Sequence, residues 1–239
     1  SEITESNSQS FRKGINNSFR LGADYYASEK TTYSLGTNIS IRDNNRGEDI
    51  VYTYFNRPSF GNKSPRTSRQ QEQDFGYDIT FDYKRLLKRD GEEITGNITY
   101  GNDKEDGTNE YIQTYDIPTL DESRRNNTTS ERGKNWNFQL DYLLPLGENH
   151  KIEAGYRGII RNSDENQYSE RLLNGAFVTD YNVTTDFDMT SGVHAIYANY
   201  QRMLSSRIGM QFGLRAEDAY LNSTIQSYDP DRILAGINI

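Results

Sequence analysis

The sequence predicts an all-β chain, an antiparallel meander of about 8–9 strands of the kind that spans a membrane as a β-barrel. Three observations carry the prediction. The first is strict alternation. Trp136, Phe138, Leu140, Tyr142 and Leu144 take every second position, with Asn137, Gln139 and Asp141 between them. Successive strand side chains point to opposite faces, so such a run has one apolar and one polar face. The second is composition. Only 33% of the 239 residues are hydrophobic, yet there are 18 Tyr and 10 Phe. A soluble domain carries a larger apolar share, and disordered chains are poor in aromatics. A membrane barrel needs only an outward apolar band about 25 Å tall around a polar interior. The third is a rhythm of connections, short then long, repeated along the whole chain.

The elements follow in order. Segment 1–12 is polar and patternless. Phe19, Leu21, Ala23 and Tyr25 alternate with Arg20, Gly22 and Asp24 in a first strand, and Tyr33, Leu35, Thr37, Ile39 and Ile41 mark the second. Phe75, Tyr77, Ile79, Phe81 and Tyr83 form a third, followed by Asp90-Gly91, a strong hairpin signal. Ile94, Gly96, Ile98 and Tyr100 form a fourth. Strands five and six flank Pro145-Leu146-Gly147-Glu148-Asn149, a turn-forming run. Strands seven and eight flank Met203–Ser206, and Ile233–Ile239 is a candidate ninth.

Short turns therefore fall near 28–32, 88–92, 145–150 and 203–206. Long polar stretches near 43–71, 102–133, 162–190 and 222–231 are expected to be loops, the first with a brief β-prone run, Ile50–Phe55. In a meander every second connection emerges on the same side, so all long loops share one side. That asymmetry is the one outer-membrane barrels show. The whole chain, 1–239, reads as a single barrel segment. A soluble sandwich is the alternative, and it does not require loop lengths to alternate.

Tyrosines cluster near the ends of the runs. Tyr25, Tyr26, Tyr33, Tyr83, Tyr142 and Tyr200 lie beside short turns and are expected to form one interfacial belt. Tyr100, Trp136 and Tyr220 are expected to form the other. Parity places Arg20, Asp24, Arg42, Asp78, Asp82, Asp141, Glu153, Arg157, Arg215 and Glu217 on the inward, lumen face. These charges either form an electrostatic ladder that stiffens the wall or contact a plug, a partner or a substrate.

Several chemistries find no support. There are no cysteines, so neither disulfides nor thiolate metal sites are expected. No apolar run is long enough for a membrane helix. The net charge of -8 argues against nucleic acid. His150 and His194 stand apart from any catalytic motif. Asp43-x-Asn45-x-Gly47 and Asp103-x-Glu105-Asp106 resemble fragments of calcium loops without completing one. The expectation is no enzyme, no cofactor and no metal site.

The runs R-L-G-A-D-Y-Y (20–26), F-D-Y-K-R-L-L-K-R-D-G-E-E-I-T-G (81–96), L-D-Y-L-L-P-L-G-E-N-H-K-I-E-A-G-Y (140–156), A-I-Y-A-N-Y (195–200) and G-L-R-A-E (213–217) resemble the barrels of TonB-dependent receptors, in their Bacteroidota-type branch. The resemblance implies a parent barrel of about 22 strands with an N-terminal plug. It implies a nutrient receptor and transporter of the outer membrane whose extracellular loops take up ligand. Its partners would be outer-membrane lipid, its own plug, TonB and a surface lipoprotein or other subunits. The chain has neither the full strand number nor a recognisable plug. The loop aromatics Tyr54, Tyr115, Trp136 and Tyr168 are the expected ligand contacts. The alternatives are a structural barrel subunit of an outer-membrane complex, a small closed barrel that does not transport, and a soluble β-rich binding module.

Overall fold

The computed structural model describes residues 3–55, 62–117 and 121–228. They form one antiparallel sheet. Its strands are β1 (Ile3–Ser28), β2 (Thr31–Phe55), β3 (Lys63–Leu86), β4 (Glu93–Gln113), β5 (Ser123–Pro145), β6 (His150–Leu173), β7 (Ala176–Thr179), β8 (Thr185–Ser205) and β9 (Ile208–Ser227). The lateral order is β1-β2-β3-β4-β5-β6-β8-β9, with β7 paired to the tip of β6. No helix occurs among the described residues. β1 and β9 are not paired with each other there. Among the described residues the sheet therefore has two edges, β1 and β9.

The turns on one side are tight for local reasons. Lys30 N donates to Ser28 Oγ (3.2 Å) at the first. Leu87 N donates to Glu92 O (2.8 Å) at the second, where Gly91 takes φ +76°. Leu146 N donates to His150 O (2.9 Å) at the third, where Gly147 takes φ +114°. Both glycines hold a left-handed backbone that a Cβ disfavours. Glu92 also accepts from Tyr142 Oη (2.7 Å) and from Arg89 N (3.1 Å), and these bonds hold its carboxyl below the usual glutamate range.

The long polar stretches differ from expectation. Residues 43–55, 63–71, 102–113, 123–133, 162–173, 185–190 and 222–227 are strand, paired in register with their neighbours. Even 3–12, patternless in sequence, pairs with 46–55. The reason is solvent. Backbone pairing needs no alternation of side chains. Where both faces of a ribbon meet water, nothing selects an apolar face and the period-two signal disappears. The two calcium-loop fragments accordingly lie within regular β2 and β4. Residues 233–239 lie outside the described residues.

The apolar runs drift against the strand register, and the drift fixes the tilt. Leu21, central in the β1 run, shares a cross-strand row with Thr37, Ile79, Tyr100, Trp136, Ile160, Gly192 and Tyr220. The β9 run is centred on Phe212, eight residues short of Tyr220. Seven strand-to-strand steps separate β1 from β9. A drift of ~26 Å along the strands over ~34 Å across them corresponds to a tilt of about 38°. Barrel strands tilt by about 35–45°. The turns give a second measure. The row through Thr31 reaches Leu214, six residues above the start of β9, after six steps. A band level with a membrane therefore requires barrel-like tilt. The Trp136–Leu144 run is ~26 Å long and stands ~21 Å tall once tilted, close to the hydrophobic band of an outer-membrane barrel.

Candidate functional site

The register decides which side chains share a face. Arg20, Asn38, Asp78, Gly101, Asn135 and Arg161 form one row. Asp82, Asn97, Gln139, Arg157, Ala195 and Glu217 form another on the same face. By the same pairing Asp24, Arg42, Asp141, Glu153 and Arg215 join them, so all ten charged positions read as inward lie on one face.

The opposite face is apolar and uncovered. Ala195 is the only buried apolar side chain among the described residues, whereas Leu140, central in the sheet, is 52% exposed. Aromatic rings edge this face at both ends. Tyr33 packs against Tyr25 and Tyr83 near the short turns, with ring centroids 6.3 and 5.3 Å apart. His150 Nδ1 bonds Tyr200 Oη (2.8 Å) at the same end. Tyr77, Tyr100, Trp136 and Phe138 form a continuous run at the other end, with 4.5 Å between Tyr100 and Trp136. Tyr26 departs from expectation. It pairs with Thr32 one position off the apolar parity and so joins the polar face. Trp136 takes its expected place in the belt and not that of a ligand contact. It belongs to the apolar-face aromatic run within β5, so it does not contact anything on the polar face.

At membrane level the polar face is a hydrogen-bonded network. Asn97 Nδ2 donates to Asp82 (2.6 Å), and Gln139 Nε2 donates to Asp141 (2.7 Å). Tyr197 Oη also donates to Asp141, above Gly155, where a Cβ would collide with both groups. Arg215 pairs with Glu217 (2.6 Å) and Lys84 with Glu93 (2.8 Å). Arg20, Asp24, Asp78 and Asp82 border a recess of about 800 Å³ on β1–β5.

Further out the same face changes character twice. First comes a row of four carboxylates, Asp74, Glu105, Glu131 and the directly paired Glu165, with Arg42 at one end bonded to Asp74 (3.1 Å). Burial, then Asp74, Glu72 and Glu131, push the Glu105 carboxyl above its ordinary range. Beyond it is an aromatic and basic lip. Tyr52 stacks on Tyr54 (6.4 Å, 15°). The Arg66 guanidinium lies 4.4 Å over the Tyr111 ring, and its Nη1 donates to Tyr52 Oη (3.3 Å). Tyr111 Oη donates to Gln113 Oε1 (2.7 Å), whose Nε2 donates to the buried Ser64 Oγ (2.9 Å). Burial, with Tyr111 and Tyr54 nearby, pushes the Tyr115 hydroxyl up. The Asp116 carboxylate accepts from Asn62 N and Lys63 N (2.9–3.1 Å) and so ties the β2–β3 tip to the end of β4. Tyr54 and Tyr115 thus come together, joined by Tyr52, Arg66 and Tyr111.

Tyr168 does not join them. It lies on the opposite face of β6, where its hydroxyl donates to Glu170 (2.9 Å). Its neighbourhood is instead an anchored hairpin. Asn174 (φ 52°) and Gly175 (φ 81°) make the two-residue turn between β6 and β7. Below it Asp180, 4% exposed, pairs with Arg125 (2.8 Å), and its backbone N donates to Ser169 O (2.8 Å). Ser169 Oγ donates to Asn127 (2.8 Å), and Thr184 Oγ1 donates to Asp180 O (3.0 Å). Parity identifies Tyr52, Arg66 and Tyr111 as face-mates only once their stretches are known to be strand. Among the described residues no cluster of three or more His, Cys, Asp or Glu side chains is arranged to hold a metal ion.

The model of a family described as "Outer membrane protein beta-barrel family" matches residues 85–232. No curated protein matches the chain. Among solved structures it is similar to P. aeruginosa FpvA, seen in complex with a heterologous ferric pyoverdine. Identity is 10% and the TM-score 0.41, over 96% of this chain and 38% of that one. It is more distantly similar to the membrane pore complex of pneumolysin, at 6% identity and TM-score 0.11, over 96% of this chain and 32% of that one. The chain spans about two-fifths of the length of FpvA, and neither likeness is close enough to carry an argument.

Proposed function

The chain belongs to the outer membrane protein β-barrel family, and from that premise we propose that it is part of the wall of a TonB-dependent receptor of Bacteroidota type. It resides in the bacterial outer membrane. In this reading the outer lip of the polar face captures a nutrient ligand. The polar face is the lumen wall along which the ligand passes once a plug domain rearranges. TonB supplies the drive, a surface lipoprotein or another subunit is a candidate partner, and no covalent chemistry is involved.

The observation that carries the proposal is an antiparallel sheet with one polar face and one exposed apolar face, its edges β1 and β9 unpaired among the described residues. In hydrocarbon an unpaired strand edge leaves its backbone groups without partners, so membrane sheets close. β1 and β9 each pair on one side only among the described residues, an arrangement that a wall segment of a wider ring would accommodate. A closed barrel of about eight strands would fill its interior with side chains. A wider ring has room for a plug and a ligand. The test is nutrient uptake by cells carrying the full-length gene, with and without an uncoupler of the proton-motive force. Uptake that needs both the gene and the force supports a receptor. A deletion strain with unchanged uptake but a disassembled outer-membrane complex would instead favour a structural subunit.

A further inference from the structure

The outer lip carries a charge pattern that the membrane-level wall lacks. Tyr111, Arg125 and Arg171 are directly paired across β4, β5 and β6 on the lumen-side face. Arg66 stacks on Tyr111 from β3. Arg125 is neutralised by Asp180 (2.8 Å), and Arg171 makes no ion pair among the described residues. Glu48 lies in the same row, two strands from Tyr111. The chain is acidic overall, with net charge -8, so guanidinium groups gathered at one level of one face stand against the trend. Arg171 stands directly opposite Arg125, whose charge Asp180 offsets, so Arg171 is the guanidinium of this row without an ion pair among the described residues.

Arg66 supplies the more specific observation. Its Nη1 is taken by Tyr52. Its Nε is buried and has no acceptor among the described residues, a costly state for a donor on a charged group. Nε lies on the edge of a guanidinium that grips a carboxylate with two parallel hydrogen bonds. Stacking on Tyr111 fixes the guanidinium plane and leaves in-plane directions for an acceptor. The tyrosines around it offer flat faces with polar tips.

We propose that this lip binds a ligand carrying a carboxylate beside a flat or ring-shaped body. The carboxylate bonds the Arg66 edge after displacing the side chains that cover Nε. The body rests on Tyr52 and Tyr111, and Arg171, three strands from Arg66, adds to the positive potential of the lip. This rests on the receptor reading above and narrows it to an acidic ligand. An acidic sugar and a peptide that ends in an aromatic residue both present that chemistry.

The experiment uses the purified full-length protein in detergent and calorimetric titration with four probes. These are trigalacturonate, its methyl ester, N-acetyl-dialanyl-phenylalanine and its C-terminal amide. One free acid is expected to bind at least tenfold tighter than its neutral partner, and which acid binds identifies the source. Arg66→Gln is expected to lose about 10- to 100-fold in affinity for that acid, as for removal of a charge-assisted pair. Tyr111→Phe keeps the ring and is expected to retain affinity. An unchanged heat-shifted gel mobility of both variants shows that they fold. The proposal is overturned if ester and amide bind as well as the acids, if Arg66→Gln keeps full affinity, or if neither acid binds at 10 mM. Uptake assayed in parallel separates the two readings. Force-dependent uptake without carboxylate preference sinks the lip assignment alone. Carboxylate binding without uptake sinks the receptor alone.

Discussion

Leu140→Arg tests the lipid-facing assignment most directly. Leu140 is the midpoint of the Trp136–Leu144 run, lies on the apolar face and is half exposed within the sheet. An arginine at the bilayer midplane of a barrel costs about 2–4 kcal/mol. That lowers the folding equilibrium about 30- to 900-fold. Two controls on β5 isolate the cause. Asn137→Arg places the charge on the polar face, and Ser130→Arg places it on the outer face six residues beyond Trp136. Each should cost under about 1 kcal/mol. A third variant tests the tilt. Ala216 shares a register row with Leu140 through Tyr156 and Ile196, yet a 38° tilt puts it about 10 Å nearer the membrane surface. Ala216→Arg should therefore cost half as much or less. Natural charges follow the same slope. Asp218 ends the row of Phe81 and Ile98, and Arg85 lies toward the far end of the row of Leu214, beside Thr31. The assay is urea titration of the full-length protein folded into vesicles, read by gel mobility before and after boiling. If Leu140→Arg costs no more than Ser130→Arg, this face is not in lipid. If Ala216→Arg costs as much as Leu140→Arg, the tilt argument fails.

Asp180→Ala leaves Arg125 without its partner and removes an acceptor that is 4% exposed. A local loss of about 1–3 kcal/mol is expected, seen as faster amide hydrogen exchange over 169–184 and not in β1–β4. Gly155→Ala builds a Cβ 2.5–2.6 Å from Asp141 Oδ1 and Tyr197 Oη. It should cost about 1–3 kcal/mol, and Tyr197→Phe in the same background should recover little, because Asp141 still blocks the site. Glu105 holds its proton above the ordinary value of 4.5, so the folded state binds a proton that the unfolded chain releases. Stability should rise as pH falls through the folded value toward 4.5, and Glu105→Gln should flatten that rise in urea titrations. An identical pH profile for the variant would show that the carboxylate row does not repel.

What the sequence revealed and what it hid have one physical origin. Membrane-level strands were legible because lipid on one side and water on the other force alternation, as in Phe75–Tyr83. Parity alone put ten charged residues from Arg20 to Glu217 on one face. The same rule hid the upper halves of the strands, where Asp43–Phe55 and Asn162–Leu173 meet water on both faces. Asn174-Gly175 was a strong turn signal, masked by the polarity of its surroundings. With those stretches read as loops, Tyr54, Tyr115 and Tyr168 looked alike as loop aromatics, and Trp136, at the edge of one, was expected both in the belt and at the ligand. Only the register separates them, two at the lip, one in the belt and one on the opposite face.

The upper halves of the strands need a reason to persist where no lipid favours them. An isolated two-stranded ribbon is marginal in water, yet β2, β4 and β6 continue 13 or 14 residues beyond Ile41, Tyr100 and Ile160. They are not isolated. Each ribbon is paired on both sides, so the backbone groups of β3, β4 and β5 are satisfied nearly to the tips. Side chains then add cross-strand links at successive levels, Arg42 to Asp74, Ser130 to Asp106, Ser68 to Asn109 and Ser169 to Asn127. Asp116 and Asp180 fasten the ends, each by bonds to backbone N–H or guanidinium groups of a neighbouring connection or strand. The membrane sets where alternation stops, but the pairing begun there carries upward because each strand already stands beside its partner. A rigid wall of this kind holds Arg66 and Tyr111 from β3 and β4 at fixed separation, which a lip built from free loops would not.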